Sequence, residues 1–145
     1  MANKVALDVA DIWSEGYKIR CTARDDPAAA PAMCSEWLST TPDGSRNSAR
    51  LLRFLTAIDN SRKLTDSSSS TYLFGDHVSY VDFLLLNVVL TMEFIYPPAA
   101  VAACLSKTNL TSVIDAIKDR PKIKSYLATA PPVLYPGVHH SELAL

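Results

Sequence analysis

Ser79-Tyr80-Val81-Asp82-Phe83-Leu84-Leu85-Leu86 is the stretch that decides the fold. A serine three residues ahead of a carboxylate, directly before an apolar run, is the pattern of a helix start. The Ser79 hydroxyl is placed to accept from the Asp82 amide, and the Asp82 carboxylate to accept from the Ser79 amide. That closes a capping box with Asp in place of the commoner Glu. Val78 and Phe83 hold the two staple positions and fix how the chain enters the helix. The residues that follow are apolar on nearly every side until Pro97-Pro98, which predicts a central helix with neighbours all round. Asp82 therefore reads as a residue of the fold rather than of chemistry, and its loss should cost about 0.5–2 kcal/mol, the range of a lost cap. Just upstream, Tyr72-Leu73-Phe74-Gly75-Asp76-His77 reads as an ordered connector pinned by its aromatics, with Gly75 supplying a positive backbone angle.

Working outward, Arg120-Pro121-Lys122-Ile123-Lys124-Ser125-Tyr126-Leu127 marks the last helix. Pro121 stands where a first helical residue belongs, with Arg120 as the cap. Ile123, Tyr126, Leu127 and Ala130 follow at i, i+3, i+4 and i+7 as its apolar stripe. Before it, Leu110–Lys118 turns Leu110, Val113, Ile114 and Ile117 inward, and Ala99–Leu105 suits one or two turns. At the other end a helix is predicted from about Lys4 to Arg20, with Val5, Val9, Ile12 and Ile19 near one face and Trp13 and Tyr17 extending it. Pro31 opens a short helix through Leu38, and Pro42-Asp43-Gly44 is a turn. A further helix is predicted from about Ser45 to Lys63 on Leu51, Leu55 and Ile58. Asp66-Ser67-Ser68-Ser69-Ser70-Thr71 reads as a polar surface loop. The sum is an all-α chain, a five- to six-helix bundle over residues 1–130 with a C-terminal tail over 131–145.

A chain of 145 residues, 48% of them hydrophobic, suits one domain with a real core. A formal net charge of -1 gives no single-sign field and implies no nucleic-acid partner. Cys21, Cys34 and Cys104 are odd in number and widely spaced, which points to free thiols in a reducing compartment. The start lacks a secretory pattern. The apolar run Phe83–Ile95 is too short for a hydrocarbon core of about 30 Å, and it carries Asn87 and Glu93. These features predict a cytoplasmic protein with no membrane partner.

Chemistry is harder to find. Phosphate-binding glycine loops, nucleophile elbows and metal-protease motifs are absent from the sequence. Asp11 and Glu15, four apart, share a face of the first helix, with Asp8 close by. Their ordinary role is a solvated acidic face near a helix start. His77 reads as a loop hydrogen-bonding group, His139-His140 lacks matching ligands for a metal, and Cys104 sits in an apolar setting that suits an inert thiol. Lys118, Arg120, Lys122 and Lys124 form a basic cluster too small for nucleic acid and suited to solvent or a modest protein contact.

Taken in order, Asp8–Trp13, Arg50–Ile58, Phe74–Asp82 and Asp119–Ala128 resemble blocks of the all-helical C-terminal domain of cytosolic glutathione transferases, nearest the sigma- and mu-like groups. The resemblance implies a helical substrate-binding and dimerisation domain that supports conjugation of glutathione to hydrophobic electrophiles. It implies glutathione as co-substrate of the full-length family, with no cofactor held by this chain alone. Family members carry a thioredoxin-like domain of about 80 residues ahead of this one, and it holds the group that activates the thiol. The expected partner is therefore such a domain or a partner chain, the isolated chain is expected to be inactive, and a homodimer is admitted. An acidic residue of the first helix would reach glutathione, with Asp8, Asp11 and Glu15 as candidates. Trp13 and Tyr17 are candidates for the electrophile pocket, and Gly75, Ser79, Asp82 and Pro121 for structural roles. The alternative reading is a non-catalytic interaction or scaffold module of the same helical fold. An exposed apolar face would speak for a covering domain or partner, and a polar one for an independent module.

Overall fold

The computed structural model describes residues 1–26, 28–46, 48–64 and 70–129. Among these the chain is all-α, with seven helices: α1 Ala2–Asp25, α2 Ala30–Trp37, α3 Arg50–Leu64, α4 Tyr80–Ile95, α5 Pro98–Leu105, α6 Leu110–Lys118 and α7 Pro121–Thr129. A single bridge, Tyr72 to Gly75, is the only extended pairing among the described residues. The helices number more than five or six because both short pieces opened by proline, α2 and α5, are helical in full. The predicted tail 131–145, Ala130 of the last stripe and residues 66–69 of the polar loop lie outside the described residues.

α1 is the longest element and packs against α2, α3 and α4, while α4 also meets α5 and α6. Val5, Val9 and Ile12 of α1 are buried against Val81, Leu85, Val88, Val89 and Met92 of α4, and Leu51, Leu55 and Ile58 of α3 complete the same core. Truncating one of these leucines or isoleucines to Ala would cost about 2–5 kcal/mol. Tyr96, just past α4, stacks on Trp37 of α2 at 5.2 Å between ring centres and donates its hydroxyl to the Gly16 carbonyl at 2.7 Å. Gly16 is needed there: a Cβ would stand 2.8 Å from Met92 Sδ and 3.2 Å from the Trp37 ring.

Three expectations are corrected. α1 extends beyond Lys4–Arg20 at both ends, because nothing from Cys21 to Asp25 breaks a helix. α3 begins at Arg50, not Ser45. Ala49 adopts φ 54 and donates to the Glu36 carbonyl at 2.9 Å, so the helix cannot run back through it. The preceding residues are held instead by Asp43, whose carboxylate accepts from the Ser45 amide at 2.9 Å. Finally, α4 is not covered all round. Tyr80, Phe83 and Leu84 are 55%, 38% and 40% exposed, and Asn87 is exposed one turn further on. The α7 stripe is likewise shallow: Ile123 packs on the core, but no α7 residue is fully buried and Tyr126 is exposed.

Candidate functional site

The junction before α4 is built around one carboxylate. Ser79 and Asp82 form a capping box. Asp82 Oδ2 accepts from the Ser79 amide at 2.7 Å and from the Ser79 hydroxyl at 2.6 Å, while Oδ1 accepts from the Leu73 amide at 2.9 Å. Asp82 is wholly buried, as is Leu73. The carboxylate thus ties the connector to the helix start and exchanges water for three donors. Gly75 turns the connector with φ 118, a left-handed angle that side chains resist. Pro121 opens α7, and Arg120, just ahead of it, donates to the Tyr72 hydroxyl at 3.0 Å, which ties that end of the bundle to the same connector.

The candidate ligand-facing residues of α1 divide between two sides of the helix. On one side, Trp13 stacks on Tyr17 with ring centres 5.3 Å apart. Trp13 also lines a groove of about 280 Å³ between α1 and α4, with Ala6, Val9, Ala10, Leu84, Asn87 and Val88. This groove opens on the uncovered stripe of α4. Leu7 of α1 is 66% exposed, and the Tyr80 hydroxyl meets Asn3 Oδ1 at 3.1 Å, joining the starts of the two helices. The result is an apolar, aromatic-edged face shared by α1 and α4.

On the other side lies a larger cleft of about 540 Å³ between α1, α2 and the start of α3. Glu15 stands in its wall, held by Arg50 in a two-point contact: Arg50 Nε donates to Oε2 at 3.0 Å and Nη2 donates to Oε1. The Arg50 guanidinium also lies over the Phe54 ring, 4.6 Å from its centre. The Glu15 hydrogen bond, with the charges of Glu15 and Asp11, outweighs the opposing effect of burial and raises the Arg50 pKa further above its ordinary value. Asp8 pairs with Lys4 at 2.7 Å. Of the three candidate carboxylates, Asp11 alone has no hydrogen-bond or ion-pair partner among the described residues. Arg50 carried no sequence signal as a site residue, since its partner is 35 positions away. Leu84 and Asn87 carried none either, because exposure cannot be told from burial inside a run that is apolar throughout.

The thiols are free. Burial pushes the Cys34 pKa up, against a lowering influence of Arg20, and burial raises that of Cys104, whose Sγ donates to the Leu38 carbonyl at 3.2 Å. Both are thus held as neutral thiols, which suits packing better than nucleophilic chemistry. Among the described residues no group of His, Cys, Asp and Glu is placed to hold a metal, and no helix is long and apolar enough to cross a membrane. The His139-His140 pair lies outside the described residues.

A family model described as the glutathione S-transferase C-terminal domain matches residues 43–130. The chain belongs to this family. The matched span takes in α3 to α7 and with them Gly75, Ser79, Asp82 and Pro121, whereas Asp8, Asp11, Trp13, Glu15 and Tyr17 precede it. The family assignment therefore rests on the half of this glutathione S-transferase C-terminal domain that is organised around Asp82, not on the candidate ligand-facing residues of α1. Searches of the curated proteins and of the solved structures find no match.

Proposed function

We propose that this chain is the helical substrate-binding domain of a glutathione transferase, working with a thioredoxin-like domain to conjugate glutathione to hydrophobic electrophiles. The observation that carries this reading is the uncovered apolar face of α1 and α4. Soluble domains rarely leave a contiguous run of aromatic and aliphatic side chains in water unless something covers it or binds there. Tyr80, Phe83, Leu84 and Leu7 would meet the thioredoxin-like domain or a second copy of the chain. The groove beside Trp13 would receive the electrophile, its aromatic wall supplying contact area and stacking. The thiolate would form on the thioredoxin-like domain, where a hydroxyl group lowers the thiol pKa. Of the three acidic candidates, Asp11 is the one outside any ion pair among the described residues, since Glu15 is occupied by Arg50 and Asp8 by Lys4. It faces away from the Trp13 groove, so it would meet the ammonium of glutathione held by a second copy of the chain.

The test is titration of the purified chain with 1,3-dinitrobenzene, an aromatic that lacks a leaving group, followed by tryptophan fluorescence. Trp37 is almost fully buried and Trp13 only partly, so quenching at the groove reads out Trp13. Saturable quenching that Leu84→Asn weakens about tenfold, the equivalent of about 1.4 kcal/mol, is the expected result. Absence of saturation would overturn the electrophile site and leave the apolar face to a non-catalytic docking role.

A further inference from the structure

From the corner formed by α6 and α7 we infer a docking surface for an acidic protein segment, one whose carboxylates flank an apolar anchor. Between Lys118 and Lys124 the chain places four cations, Lys118, Arg120, Lys122 and Lys124, against one carboxylate, Asp119. This local surplus stands in a chain whose formal net charge is -1. The fold does little to neutralise it. Arg120 donates to the Tyr72 hydroxyl and lies over that ring, 6.0 Å from its centre, so its charge meets neutral groups. Lys124 reaches Asp119 at 3.5 Å, but the two side chains are 72% and 77% exposed, and such a pair is weakly held. Lys118 and Lys122 have no hydrogen-bond or ion-pair partner among the described residues.

Uncovered apolar surface lies beside the charge. Isolated helices of fewer than about 12 residues are marginal in water, and α7 has nine, with α6 as its main support and no residue buried. Ile123 packs on the core, whereas Tyr126 is 56% exposed. Lys122 and Tyr126, four apart, share a flank of the helix. The partner's carboxylates meet Lys118, Arg120 and Lys122, and its apolar anchor lies on the Tyr126 ring and the lysine stems. An anionic lipid surface fits less well. It would press on the exposed Asp115 and Asp119 as well as the lysines, and Ile123, which would have to enter it, is held by the core. A short segment can reach Lys118 and Lys122 and avoid both carboxylates. This surface does not depend on the proposed conjugation role, because none of its residues lines the Trp13 groove or the cleft on the other side of α1.

Fluorescence polarisation tests it, with a labelled peptide in which a Leu-Phe pair is flanked by glutamates on both sides. One control carries lysine for each glutamate, the other serine for the Leu-Phe pair. The acidic peptide should bind saturably, about tenfold more tightly than either control, and weaken as salt is raised. The double variant Lys118→Gln, Lys122→Gln should lose about tenfold in affinity. Tyr126→Ser should erase the preference for the Leu-Phe peptide over its serine control. Both variants should keep the thermal midpoint of the parent, because none of the three side chains is buried. Absence of saturable binding, equal binding of the lysine peptide, or unchanged affinity in the double variant would each overturn the inference. So would cosedimentation with phosphatidylserine vesicles that excess acidic peptide fails to displace, which would assign the face to a membrane.

Discussion

The connector before α4 and the outer face of α1 and α4 are opposite departures from the usual partition of polar and apolar groups. At Asp82 a charged group is wholly buried, and at Tyr80, Phe83 and Leu84 large apolar groups stand in solvent. They lie within one helical turn of each other. The buried carboxylate is satisfied by three donors and so belongs to the fold. The exposed stripe has no counterpart in the fold and so points outward, to a ligand or partner. Polar groups inside and apolar groups outside are the informative exceptions, and here hydrogen bonding sorts one from the other.

The largest effect is expected at the buried end. Asp82→Ala leaves the Leu73 amide without an acceptor in a buried setting and the Ser79 amide without one in a partly buried setting. Orphaned buried donors cost about 1–3 kcal/mol each, so the loss should reach about 3 kcal/mol, beyond a simple cap. Urea unfolding measures it. A loss below about 1 kcal/mol would mean that the connector relaxes to water and that Asp82 is an ordinary surface cap. Asp82→Asn keeps an acceptor oxygen and should lose less.

A second test concerns neutral groups that the core holds. Burial raises the Tyr96 pKa well above the ordinary tyrosine value, and the hydroxyl donates to the Gly16 carbonyl, which only the protonated form can do. Cys34 and Cys104 are raised for the same reason. The sign follows from linkage. Above about pH 8.5 for the thiols and about pH 10 for the phenol, the unfolded chain releases protons that the folded chain retains. Stability is therefore complete below those values and falls as pH rises through them. The melting temperature should decline from about pH 9 upward. Tyr96→Phe should cost about 1 kcal/mol at neutral pH, the net worth of one hydrogen bond, and should remove the steeper part of the decline above pH 10. An unchanged alkaline limb in that variant would place the loss elsewhere.

How far the sequence discloses each region depends on the range of the interactions that make it. The capping box spans four residues, the α6 stripe eight, and the Pro121 start one, so each can be read from neighbours along the chain. The all-α class follows from such local signals. The α3 start could not be read in this way, because Ala49 is turned by its bond to Glu36 in another helix. Nor could the pairing of Glu15 with Arg50, or the open side of α4. A helix that is apolar on every side has no periodicity to say which side lacks a neighbour. Acidic spacing on α1 grouped Asp11 and Glu15 by face, but only the folded chain shows that one is committed to an arginine and the other is not.

A smaller effect is expected from that commitment. Glu15→Gln breaks a two-point contact whose partners are each about a third exposed, so solvent screening limits the loss to about 0.5–1 kcal/mol. Asp11→Asn should cost less than about 0.5 kcal/mol, as for a surface substitution that gives up only a through-space attraction to Arg50. Equal losses in thermal unfolding would remove the distinction between a structural and an available carboxylate on α1.

The smallest effect on stability is expected at the exposed stripe, and there it is the most diagnostic. Phe83→Ser with Leu84→Asn replaces side chains that are more than a third exposed, Leu84 at the edge of the α1–α4 groove. If the stripe exists for the fold, the pair should unfold the domain as other apolar losses do. If it exists for a ligand or partner, the folded state gives up little of what it buried, and removal of exposed apolar area lowers self-association. The expected outcome is a change in unfolding free energy within about 1 kcal/mol, consistent with two partly exposed positions. Sedimentation should show less association for the variant than for the parent chain at the same concentration. A loss comparable to that of Asp82→Ala would reverse the contrast, making the apolar face part of the core and leaving the domain without its strongest evidence for a partner.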